Sequence, residues 1–109
     1  MAIPHASSGE PINVQPLGAR LSGEKSIALF KSAQLEVVRM VLLTGKAMPV
    51  HQVPGEIALQ CIEGALNVTV IGGSQVLRAG QLMFLSGSVP HGVVALQDAS
   101  ALLTIVLRA

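Results

Sequence analysis

The chain has 109 residues and a formal net charge of +1, with half of its residues hydrophobic and only 12% charged. That length suits one domain around one core. Scattered cations, two Phe and no Trp or Tyr leave neither a basic face nor a stacking platform, so nucleic acid is excluded as an expected partner. No apolar run reaches the roughly 18 residues needed to span a bilayer, so no membrane partner is expected either.

The apolar residues are mostly Val, Leu, Ile and Ala, which suit strands better than a helical bundle. The opening MAIPHASSGEPI has neither the basic start nor the apolar centre of a signal peptide, and a cytoplasmic location is expected. The single cysteine, Cys61, excludes an intrachain disulfide. A mean hydropathy of +0.62 is high for a small chain with much surface, which predicts a homodimer covering an apolar face.

Residues 1–11 read as a flexible lead-in and 12–109 as one domain. Within it, 12–21 reads as a short irregular strand broken by Pro16 and Gly18, and 22–24 as a turn. Residues 26–32 and 35–44 follow as two strands with a tight link at Ala33 and Gln34. In the second, Val37, Arg39 and Val41 share one face and Val38, Met40 and Leu42 the other, so both faces should be covered. Extended 47–52 is kept to an edge or end by Pro49, and 53–55 turns the chain into a strand over 57–62. Glu63-Gly64 is a turn or bulge, after which Leu66, Val68 and Val70 alternate with Asn67 and Thr69. Gly72-Gly73 fits a two-residue hairpin loop needing positive φ. Strands over 74–78, 81–85, 92–96 and 101–107, the last two separated by a turn at Asp98, bring the total to nine or ten. Such frequent Gly and Pro punctuation predicts an all-β sandwich or barrel.

Gly45, five residues and His51, then Glu63-Gly64 and the glycine hairpin, resemble the first motif of the cupins. The run GQLMFLSGSVPH from Gly80 to His91 is similar to the second. The resemblance covers 45–95, about half of the chain, and implies an RmlC-like jelly-roll barrel, or double-stranded β-helix. It also implies a site. In metal-binding cupins, two histidines and a glutamate of the first motif join a histidine of the second on one ion. Here His51 and His91 stand in register with two of those ligands, while Val53 occupies the place of the second histidine and Ile57 that of the glutamate. The second motif departs too, with Gln81 for its acid, Ser86 for its Pro, Ser88 for its Gly and Ala95 for its Asn. A tightly held divalent ion wants three or four protein donors. The resemblance therefore implies either no cofactor or a weakly bound Zn, Ni, Fe or Mn on His51 and His91.

The same positions imply a pocket formed by His51, Val53, Ile57 and His91, with Met48 and Met83 at its entrance. Plainer readings stand beside this one. The histidines are two imidazoles bonded to backbone or water at a barrel mouth, and His5 is solvated. Glu56 neighbours the lost glutamate but faces the other side of a strand, and Gln60 has the wrong parity. Cys61 has the right parity, lies roughly 13 Å along the strand from Ile57, and reads as a small core residue. Arg39 is an awkward charge in mid-strand, facing solvent, a partner copy or a carboxylate. No residue is singled out as catalytic. Three functions remain: a metal-free barrel binding a small, largely apolar molecule; a metal-dependent oxygenase or isomerase-like enzyme using His51 and His91; and an accessory or structural dimer with a vestigial pocket. The first ranks ahead, because Val53 and Ile57 make the pocket wall apolar.

Overall fold

The computed structural model describes residues 5–107, the side chain of His51 excepted. The described residues form one 3-10 helix, Gly18–Gly23, and seven strands: β1 Ile27–Lys31, β2 Leu35–Leu42, β3 Ala47–His51, β4 Ile57–Val70, β5 Gly73–Arg78, β6 Leu82–Leu85 and β7 His91–Val106. All strand pairs are antiparallel. The expected all-β jelly-roll barrel is what the chain adopts. Among the described residues, no helix is long and apolar enough to cross a membrane.

The two long strands, β4 and β7, run side by side and serve both layers of the barrel. The first part of β4 lies between β6 and the later part of β7, which continues through β2 to β1. The last part of β4 lies between β5 and the early part of β7, which continues to β3. Two layers thus share one bent pair. The bend sits where the register slips between Cys61 and Glu63, Glu63 and Ala65, and Ala65 and Leu66. Gly64 has φ +78° there, and a Cβ on it would fall on the carbonyl oxygen of Asp98 in β7. Glycine is required for both reasons. The slip also changes parity. Ile57, Leu59 and Cys61 point inward before it, and Leu66 and Val68 after it, so both halves of β4 feed one core.

That core also takes Met40 from β2, Leu85 from β6, and Val93, Ala95, Ala99, Ala101 and Leu103 from β7. Residues 12–24 form a strap over the outer face of the β2–β7 region. The 3-10 helix lies against β7, and Leu17 and Leu21 are buried outside the main core. Ahead of the strap, the Ala6 amide donates to the Leu29 carbonyl at 3.0 Å.

Several expected boundaries move. Residues 57–62 and 66–70 are one strand, and so are 92–96 and 101–107, because Glu63-Gly64 is a bulge and Asp98 sits in a matching irregularity of β7. Asp98 is held by the Thr44 amide and hydroxyl, both at 2.8 Å from Oδ1, instead of making a turn. The hairpin loop is Ile71-Gly72, since Val70 already pairs with Gly73, although Gly72 does have φ +90°. Residues 12–21 make no strand; with Pro16 and a left-handed Gly18 the chain closes instead into the 3-10 helix.

Candidate functional site

His91 begins β7 and is one of two buried polar side chains among the described residues, with 2% of its surface exposed. Its Nδ1 lies 3.2 Å from the Val89 carbonyl oxygen. A carbonyl only accepts, so the ring donates from Nδ1, and in the neutral tautomer the lone pair is on Nε2. Across the β3–β7 pair, the backbone position opposite His91 is that of His51. The His51 side chain lies outside the described residues.

The other residues expected in the pocket are all set into or against the barrel core. Ile57 is buried, opposite Leu85 and Ile105. Val53, Met48 and Met83 are half-buried and packed on the core cluster, with Met48 opposite Val93 and Met83 opposite Leu59. The Val53 carbonyl also accepts the Ser88 amide at 2.7 Å, tying the loop after β3 to the loop before β7. Met83 further lines an open cleft of about 440 Å³ with Val70, Ile71, Gln75, Phe84, Leu85, Ser86 and Val89, and His91 itself is not in its wall. That cleft opens where β6 of one layer faces the β4–β5 hairpin of the other. Val89 links it to the histidine, for the carbonyl that holds His91 belongs to a residue of its wall.

Among the described residues, the donors around His91 do not make up the three or four that a tightly held divalent ion needs. Val53 and Ile57, at the positions where the resemblance implies ligands, carry methyl groups set into or against the core. Glu56 is exposed, and no three His, Cys, Asp or Glu among the described residues come together to hold an ion. Cys61 is fully buried; burial pushes its thiol above the usual value, and its Sγ donates weakly towards the Glu63 carbonyl at 3.4 Å. It is a core residue, not a thiolate ligand.

A second polar cluster, on the outer face, went unnoticed in the sequence. Glu63 Oε2 accepts the Leu17 amide at 2.7 Å and the Ser100 hydroxyl, while Oε1 accepts the Gly18 amide at 3.0 Å. Burial pushes this carboxyl up, but the Ser100 hydroxyl, the two amides and the nearby Arg39 outweigh it and hold it below its ordinary value. Arg39 lies 3.7 Å from Glu24 of the strap. The only local hint was a charge in mid-strand, because the strap that meets it arrives from residues 15 to 27 positions earlier in the chain.

No family model matches the chain, and no curated protein matches it significantly. Solved structures do. An RmlC-like cupin from Shewanella frigidimarina is 27% identical, with TM-score 0.72 over 95% of this chain and 91% of that one. An RmlC-like cupin from Desulfovibrio desulfuricans is 23% identical, with TM-score 0.74 over 88% and 95%. A conserved protein of unknown function from Streptococcus pyogenes is 20% identical, with TM-score 0.77 over 100% and 99%.

Proposed function

On the premise that this chain is a small RmlC-like cupin barrel, we propose that it binds a small, largely apolar molecule between its two layers, with His91 and His51 as the polar groups that orient it. The observation that carries this reading is a buried imidazole at the end of an aliphatic core, joined through Val89 to an apolar cleft of about 440 Å³. Pockets of this size, mostly apolar with one or two directed polar groups, suit small ligands. A neutral imidazole can accept from a hydroxyl or carboxylic acid, and a protonated one can donate to a carboxylate. The chemistry open to His91 is therefore orientation or proton transfer. Metal is absent or weakly held in this reading, which rests on the aliphatic side chains at positions 53 and 57.

The opposed backbone positions of His51 and His91 favour a second reading, a metal-dependent enzyme. Two measurements separate the readings. Metal analysis is made on protein purified without a nickel column, beside His51→Ala: stoichiometric metal that disappears in the variant overturns the metal-free reading. Isovalerate, as a small apolar acid, is titrated while amide shifts are followed. Saturable shifts at Val70, Met83 and Val89 support the pocket, and their absence leaves the vestigial reading, an accessory dimer, as the better one. We also propose a homodimer, supported by Leu82 and Phe84, which are 68% and 62% exposed on the same side of β6.

A further inference from the structure

The strap carries chemistry that the barrel interior does not use. Where it crosses the sheet it leaves a polar cleft of about 300 Å³, walled by Asn13, Gln15, Pro16, Leu17, Arg20 and Arg39. Two guanidiniums and two amides face this space and no carboxylate does. The nearby acids are largely committed elsewhere. Glu63, whose charge also reaches Arg39, has its oxygens taken by the Leu17 and Gly18 amides and the Ser100 hydroxyl. Glu24 comes only to 3.7 Å of Arg39, well beyond the roughly 2.7–2.9 Å of a charge-assisted hydrogen bond.

Arg39 is thus a desolvated cation with spare donors. Its side chain is 13% exposed, and its Nε is buried with no hydrogen-bond partner among the described residues. A buried donor without an acceptor costs free energy, and an entering anionic oxygen recovers it. Asn13 adds a donor end, because its Oδ1 already accepts the Gln15 amide at 2.9 Å and turns the amide nitrogen into the group left for a ligand. We propose that this cleft binds a small oxyanion, the carboxylate or phosphate of a small molecule, with Arg39 as the buried fork and Arg20 as the second charge at the rim. The occupant would bridge the sheet, through Arg39, to the strap, through Asn13, Gln15 and Arg20, and so fasten the strap to the barrel.

Calorimetric titration with inorganic phosphate and with malonate, each at constant ionic strength set by chloride, tests this. One saturable site per chain is expected for at least one probe, and the tighter probe assigns the phosphate or the carboxylate class. Arg39→Gln should abolish binding, Arg20→Gln should weaken it about tenfold, as for one charged hydrogen bond, and the exposed Arg78→Gln should leave it unchanged. Arg20 is exposed, so its variant decides the matter even where Arg39→Gln disturbs the fold. Heats that do not saturate with either probe, or equal affinity in Arg20→Gln and wild type, overturn the proposal.

Discussion

Glu63 sits where burial and hydrogen bonding pull its carboxyl in opposite directions, and the hydrogen bonds win. The folded protein therefore binds that proton less readily than the unfolded chain. The stabilisation is complete above the ordinary carboxylate value of 4.5 and is lost as pH falls through the lowered folded value. Urea unfolding should show wild type losing stability in that acid window. Glu63→Gln should be weaker by about 1–3 kcal/mol at neutral pH, from imperfectly satisfied donors, and should converge on wild type as the pH drops. A pH-independent difference would mean that the charge of Glu63 plays no part. Cys61 gives a simpler expectation. Fully buried, with its thiol raised by burial, it should react with a thiol reagent only as fast as the chain opens, and at once in denaturant.

At the scale of elements, the bend shared by β4 and β7 decides the architecture, and Gly64 is its most constrained position. Gly64→Ala adds a methyl group against the Asp98 carbonyl to the strain of a left-handed φ. A loss of about 2 kcal/mol or more is expected. Gly72→Ala is the control: φ is +90° but the space around it is open, so the cost should be only about 1 kcal/mol. Equal losses by denaturant titration would show that backbone strain alone, and not the close approach of β7, governs the bend. Alternation along 66–70 and the glycine hairpin were legible in the sequence because period-2 patterning and turn chemistry are local. The continuity of β4 was not. A Glu-Gly pair reads equally as a turn or a bulge, and only the matching irregularity at residues 97–100 of the neighbouring strand selects the bulge.

At the scale of the molecule, low charge and high mean hydropathy find an outlet in apolar surface. Leu82 and Phe84 project from a strand whose neighbours on that face, Ala58 opposite Phe84 and Leu102 in register with Gln60, are largely uncharged. Sedimentation equilibrium should show a dimer that Phe84→Glu converts to a monomer without unfolding it. A wild-type monomer at all concentrations would overturn the homodimer.

By itself, the sequence determined the all-β class and the glycine-marked turns around 45–95, because each depends on residue type and short spacing; the jelly-roll barrel, and aliphatic side chains at 53 and 57 where a metal-binding cupin carries ligands, came from the family resemblance. Tertiary structure decided the rest. Burial of His91 depends on the layers that close over it. The grip of Glu63 on the strap joins residues 45 and 46 positions apart, and the convergence of Arg20 with Arg39 joins two separate elements. Neither contact leaves a periodicity or a motif behind, since such partners are chosen by how the sheets fold over one another and not by their neighbours along the chain.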